Sequence, residues 1–396
     1  PKHIWESKDF NNIRFEFPVV SGPYKIKEFR EDRYVELERN QDWWGFTKNW
    51  NRGKYNFEKI KFRFMEDQTK VLEAFKKQNF DAYALYTSAI WMKQTDFDAV
   101  QKGYVVKQKI YNKEPIGFQG MAFNLRKEKF QDVRVRKALS MLMNREMMNE
   151  KYMYNQYFLL NSYYPDLWEN NKNPSAPEFA YAPDSARKLL SEAGFVPDAE
   201  GMLSKNGQPF EITFITSSSE MRHLTLYQED LKKAGIRVNI EQMSQSTLRK
   251  RLDEADFDMY WVNWGAGRLR DPEASWHSAT ANAKGTNNLS GLQDAVVDSL
   301  INLQKTEFNL EKRNEILRSL DHRLTELVPY VLMWQADHHR MLYWNRFGTP
   351  EKVFDKFGRE ESIPVYWFYD AKKASALNKA IKEGKTLPLE PKEVRQ

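Results

Sequence analysis

Ten consecutive residues concentrate the binding chemistry of this 396-residue sequence: Trp261-Val262-Asn263-Trp264-Gly265-Ala266-Gly267-Arg268-Leu269-Arg270. The stretch is aromatic, glycine-rich and cationic together. Indole rings give flat, amphipathic surface of the kind that lines wet clefts. A guanidinium holds a carboxylate through two parallel N–H···O bonds, as the C-terminus of a peptide requires. Asn287 and Asn288 could serve a ligand backbone as both donors and acceptors. Ser218 lies in a second polar loop, Ser217-Ser218-Ser219-Glu220, whose hydroxyls also suit a helix cap. The expected ligand contacts are Trp261, Asn263, Trp264, Gly265, Arg268, Arg270, Asn287, Asn288 and Ser218. The plainer reading of each is a loop cap or a surface charge.

Catalytic and metal chemistry is poorly served. There is no cysteine, hence no disulfide, thiolate ligand or Cys nucleophile. The six histidines form no H-E-x-x-H or i,i+4 pair, and adjacent His338 and His339 would point to opposite faces of a strand. No G-x-S-x-G elbow is present. Gly265-Ala266-Gly267 lacks the third glycine of a dinucleotide fingerprint, and Asp198-Ala199-Glu200-Gly201 lacks the spaced acids of a calcium loop. No metal or cofactor is expected. One alternative is a secreted hydrolase acting on peptides or glycans, for which Asp256 and Asp258 would share a strand face. Another is a nucleic-acid module, since the net charge is +6; but Lys and Arg are interleaved with Asp and Glu, as in Lys25–Arg33, which describes a solvated face.

The elements that must position the Trp264 loop are legible around it. Pro183 suits the first turn of a helix with the stripe Ala186, Leu189, Leu190 and Ala193, closed by Gly194. Asn206-Gly207 predicts a type I′ hairpin. Strands over 210–216, 236–243 and 257–263 alternate with helices over 224–234 and 247–255. That alternation implies a parallel sheet with right-handed crossovers, with ligands beyond the strands' carboxyl ends. Both the Ser217–Glu220 and Trp264–Arg268 loops fall at that end.

Upstream, Tyr24–Phe29 and Tyr34–Glu38 alternate at period two around a charged loop, Ile60–Phe64 alternates likewise, Thr69–Gln78 has helical spacing, and Phe80–Tyr83 reads as a strand. Phe118–Asn124 is an extended apolar run before a helix that begins at Val133. Helical periodicity returns over 294–327, Pro329 stops it, and Tyr330–Trp334 is a short strand. Crossings between domains are expected at 112–120 and 335–342. They give 1–117 as part of a first lobe, 118–336 as a second, and 337–396 as a return to the first. The Lys- and Pro-rich tail after Ala371 is expected on the surface. No run approaches ~18 apolar residues, the length of a membrane span. The N-terminus shows no charged region followed by an apolar one, which a processed or truncated chain would share.

Several stretches resemble the family 5 extracellular solute-binding proteins, receptors of oligopeptide ABC importers. Ser21-Gly22-Pro23-Tyr24, Glu38-Arg39-Asn40 and Trp43-Trp44-Gly45 look like that family's hairpin and its ending. Phe123-Asn124 followed by Asp132-Val133-Arg134-Val135-Arg136-Lys137-Ala138-Leu139 is similar to its most specific signature. Phe257-Asp258-Met259, Asp271-Pro272 and Gly285-Thr286-Asn287-Asn288 fit in order, while Arg52–Phe57 and Asn124-Leu125-Arg126 resemble the YejA-like branch. The resemblance implies an α/β, periplasmic binding protein-like fold (cluster C, type II) with two hinged lobes of mixed or parallel sheets closing around a peptide. It implies a periplasmic or extracytoplasmic monomer, not an enzyme, with a permease as partner and no nucleic acid. It also implies an N-terminally truncated precursor. Oligopeptide binders of the family place an aspartate shortly after the loop's Trp, where it meets the peptide ammonium. Gly267 and Arg268 stand there instead, which favours ligands with acidic or modified ends.

Overall fold

In the computed structural model, which describes residues 6, 9, 17, 19–65, 67–218 and 222–396, the chain first builds an antiparallel ladder. Its strands are β1 (Tyr24–Arg30), β2 (Tyr34–Arg39) and β3 (Lys59–Arg63). Helix α1 (Gln68–Lys76) and strands β4 (Ala82–Ala84) and β5 (Val105–Tyr111) follow. Next come β6 (Phe118–Phe123), α2 (Val133–Met141), α3 (Pro183–Glu192), β7 (Glu211–Thr216), α4 (Arg222–Lys233) and β8 (Arg237–Gln242). Then follow α5 (Gln245–Asp253), β9 (Met259–Trp264), α6 (Ala295–Thr306), α7 (Leu310–Leu327) and β10 (Tyr330–Leu332). Strand β11 (His339–Trp344), helix α8 (Ala371–Glu383) and strand β12 (Glu393–Arg395) complete the chain.

These elements form two compact units, Pro1–Glu114 with His338–Gln396, and Pro115–Asp337. The boundaries expected from sequence were 117/118 and 336/337. In the first unit, β12-β5-β11-β4 form a four-stranded sheet separate from the β1-β2-β3 ladder. Leu72, Phe75, Trp91 and Trp344 pack on one of its faces, and Met341, Phe354 and Trp367 on the other.

The tail beyond Ala371 departs from expectation. It is not a surface appendage. Asp370 caps α8 by accepting from the Lys372 and Lys373 N–H groups, and Ala374, Leu377 and Ala380 are buried in the core. Strand β12 then pairs in parallel with β5. The i, i+3, i+6 spacing of those three apolar residues outweighs the lysines, which lie on the other face. Two helix ends also shift. Gln78 (φ 60°) and Ala255 (φ 52°) adopt left-handed backbone, so α1 and α5 stop short of them.

The second unit holds a five-stranded sheet in the order β8-β7-β9-β6-β10. Strands β8, β7 and β9 are parallel, as the strand–helix alternation predicts; β6 is antiparallel to β9, and β10 to β6. Period two divides the side chains cleanly. Met121, Phe123, Ile212, Phe214, Met259 and Val331 face one layer with α2, α3 and α4. Phe118, Ala122 and Tyr330 face the other, with α6 and α7. Each fully buried side chain of this size stabilises by roughly 1.5–3 kcal/mol, so the two layers hold the sheet rigid. Asn206 and Gly207 (φ 53° and 76°) form the expected hairpin turn between the short strands Leu203–Lys205 and Gln208–Pro209.

Candidate functional site

The antiparallel placement of β6 and β10 decides which end of the sheet matters. Phe118, at the start of β6, pairs with Trp264, at the end of β9. Leu332, at the end of β10, pairs with Gly120 near the same end of β6. Both connections to the other unit, at Glu114/Pro115 and Asp337/His338, therefore leave from the end where β7, β8 and β9 terminate. Gly117 permits this crowding. A Cβ there would lie 1.8 Å from the Trp264 carbonyl oxygen, so no larger residue fits.

At this end the alternation of β9 splits the expected contact residues. Trp261 and Asn263 share the face of α4, while Trp264 lies on the opposite face. Trp261 is 39% exposed, and its indole N–H donates to Gln119 Oε1 at 3.3 Å. Gln119 in turn donates to the Trp334 carbonyl at 2.7 Å. Gln335 donates to Asn263 Oδ1 at 3.4 Å. The His223 ring lies 6.2 Å from both Trp261 and Trp334, nearly perpendicular to the latter. Burial among these rings holds the His223 pKa below its ordinary value and keeps the imidazole neutral. The result is a cluster of indole and amide groups on strands, with an imidazole from the start of α4.

Gly265, Gly267 and Arg268 continue from it as an exposed loop, and a Cβ at Gly265 would meet nothing within 4 Å. Ser218 is exposed at the neighbouring strand end, its N–H donating to Thr216 Oγ1 at 3.0 Å. Ser219 and Glu220 lie outside the described residues. Trp264 is half-buried, its indole N–H 3.4 Å from the Tyr330 hydroxyl.

Arg270, Asn287 and Asn288 are placed elsewhere. Arg270 turns inward, is 8% exposed, forms an ion pair with Asp166 and lies over the Tyr164 ring. Asn288 is fully buried: its side chain accepts from Leu292 N–H and donates to the Leu292 carbonyl, both at 3.0 Å. Exposed Asn287 is next to it. Leu125 N–H donates to the Ser290 carbonyl, and Arg126 to the Asn288 carbonyl, so this turn sits where β6 ends and β9 begins. The structure thus puts the Asn287-Asn288 pair at the opposite end of β9 from Trp264. Their sequence gave no sign of it, because the partners lie more than a hundred residues away.

Gln119, His223, Trp334 and Gln335 went unnoticed in the sequence. The available signal was Gln119, one amide inside the apolar run Phe118–Phe123. The carboxylates of the hydrolase alternative are otherwise engaged. Asp256 pairs with Arg251 at 3.0 Å, and Asp258 accepts from Lys129 at 2.7 Å and from Thr213 N–H at 2.9 Å. Among the described residues, no group of three or more His, Asp or Glu side chains could hold a metal ion. None of the described helices is long and apolar enough to cross a membrane.

Residues 1–287 match the bacterial extracellular solute-binding proteins, family 5 Middle. The chain belongs to this family. Among its curated relatives, the Escherichia coli (strain K12) protein YejA is 28% identical, across 97% of this chain and 68% of its own length. The probable peptide-binding protein YejA of Agrobacterium fabrum is 29% identical, across 89% and 65%. This family 5 chain thus spans about two thirds of the length of such relatives. The structure of the oligopeptide-binding protein AppA from Bacillus subtilis, in complex with a nonapeptide, superposes with a TM-score of 0.76 at 20% identity, covering 93% of this chain and 71% of that one. The fold is that of the type II periplasmic binding proteins, α/β with mixed sheets.

The family's most specific signature has a structural explanation. Asp132 caps α2 by accepting from Arg134 N–H at 2.8 Å, and Val135, Ala138 and Leu139 are buried. Arg136 donates to the Leu327 carbonyl at 2.6 Å and to Phe130 at 2.6 Å, capping the last turn of α7. Burial pulls its pKa down to about 10.

Proposed function

We propose that this chain is the substrate-binding component of an ABC importer, capturing oligopeptides or modified peptides and delivering them to a permease in the inner membrane. The observation that carries the reading is the exposed Trp261 indole and Asn263 amide, backed by the partly buried His223 and Gln119, at the sheet end from which both crossings leave. An extended peptide needs flat apolar surface for its side chains and amides for its backbone, and this end supplies both. The names of relatives support it, as does a structural neighbour that holds a nonapeptide. The contacts assigned to the ligand are Trp261, Asn263, Gly265, Arg268 and Ser218, joined by Gln119, His223 and Gln335. Half-buried Trp264 is kept as a contact at the same strand end. Arg270, Asn287 and Asn288 are left to the fold.

Arg268, in place of an acidic residue, favours ligands with acidic or modified termini. The setting is periplasmic, the working form is a monomer without cofactor, and the chain is not an enzyme. Calorimetric titration with peptide pools is expected to give saturable heat and a raised Tm. Absence of both, or cleavage products in mass spectra of the same mixtures, would contradict the assignment and in the second case revive a hydrolase.

A further inference from the structure

The stretch from Trp43 to Phe57 in the first unit carries Lys48, Arg52 and Lys54 and no acidic residue, whereas most of the chain mixes both signs. It contains two single turns of 3-10 helix, Trp44–Thr47 and Asn49–Asn51. Side chains within the stretch hold these turns in place. Asn51 is buried, and its amide donates to the Gly45 carbonyl at 3.0 Å. Trp43 meets Phe46 and Tyr55 edge to face, with centroids 5.1 and 5.2 Å apart, and its indole N–H donates to the Ser21 carbonyl at 2.8 Å. Gly45 permits this packing, because a Cβ there would lie 2.3 Å from the Trp43 ring. With Trp43 packed against its neighbours, the next two indoles face solvent. Trp44 is 58% exposed and Trp50 66%, the two most exposed tryptophans among the described residues. Lys48 and Arg52 are exposed beside them, and the Lys48 ammonium lies over the Trp44 ring, 6.0 Å from its centroid.

We propose that this platform docks the protein on a lipid bilayer with anionic headgroups. A large apolar ring held in water is costly, and an indole is at home at the membrane–water interface, where its ring is covered and its N–H still meets polar groups. A Lys or Arg beside it then stands at the level of the phosphates and adds to the attraction of a negative leaflet. Trp44 and Trp50 supply the rings, and Lys48 and Arg52 the charges, on turns that Asn51 and Trp43 fix from within. The nearest acids in sequence, Asp42 and Glu58, lie outside the run. A sugar polymer is the poorer partner. It stacks on free ring faces, and the Lys48 ammonium already covers one face of Trp44. A nucleic acid is poorer still, because its affinity rests on many phosphate contacts and the stretch offers three cations. A bilayer is also where the permease proposed above resides, so the contact would concentrate the receptor around it.

Co-sedimentation of the whole product of the gene with vesicles tests this, using phosphatidylcholine alone and phosphatidylcholine with about one third phosphatidylglycerol. The partition coefficient is expected to be about tenfold higher on the anionic vesicles at low salt, and to fall back to the neutral value in about 0.5 M salt. Trp44→Ser combined with Trp50→Ser, and separately Lys48→Glu combined with Arg52→Glu, are each expected to lower it about tenfold, with circular dichroism and peptide titration unchanged. Failure to bind the anionic vesicles, or equal binding by the parent and both variants, would overturn the proposal. Retention on insoluble peptidoglycan with none on vesicles would overturn it in favour of a sugar polymer.

Discussion

The two ends of the second unit's sheet use similar residues for opposite purposes. At the end where β9 begins, Asn124 is fully buried and donates to the Ala255 and Phe257 carbonyls at 2.9 and 2.8 Å. Arg126 donates to the carbonyls of Ala281, Asn288 and Leu289, and Lys129 is tied to Asp258. Every one of these polar groups is consumed in joining segments more than a hundred residues apart. At the end where β9 finishes, Trp261, Asn263 and Arg268 are exposed, with Gln119 and Gln335 bonded to the first two through their side-chain amides. Arg and Asn side chains thus occur at both ends, and what differs is whether they are spent on internal contacts or exposed. The first end joins distant segments of the fold, and the second is the end proposed for recognition.

The largest effect is expected at the first end. Arg126→Ala leaves three carbonyls without their donor and should cost about 2–4 kcal/mol of stability in a denaturant melt. A near-neutral result would mean that this end is not the structural one. At the second end, Trp261→Ala should weaken peptide binding about tenfold while stability changes by less than about 1 kcal/mol. Equal losses of stability and binding would erase the distinction.

A smaller pair of effects separates the ends by pH. The folded pKa of His223 is depressed by burial, so the neutral form is favoured; its contribution is present above the unfolded value of about 6.5 and is lost as pH falls below it. His223→Gln should remove that part of the stability–pH curve. Asp132 is held low by its hydrogen bond with Arg134, so its contribution is present above about 4 and is lost as pH falls through the folded value. Asp132→Asn should flatten only that acid limb.

Much of this architecture was readable beforehand because it rests on local chemistry. Gly194 and Gly235 (φ 92° and 85°) end their helices where sequence placed the ends, and three strands with two intervening helices forced the parallel order of β7, β8 and β9. The α8 tail was misjudged because its lysines masked a regular apolar stripe. Of the proposed contacts, Trp261, Asn263 and the Gly265–Arg268 loop were readable in the sequence, and their spatial neighbours Gln119, His223 and Gln335 were not. Trp261 and Trp264 look equivalent in a list, yet period two sends them to opposite faces. Arg270 and Asn288 carry the right groups, but Asp166, remote in sequence, draws the Arg270 guanidinium inward, and the Leu292 backbone holds the Asn288 amide.

The most direct test of the division is an exchange footprint of the protein with and without a bound peptide. Slowed exchange at 118–120, 261–268 and 334–335, with none at 124–126 and 287–290, is the expected result. Protection at 287–290 with the Trp261–Arg268 stretch unchanged would contradict it.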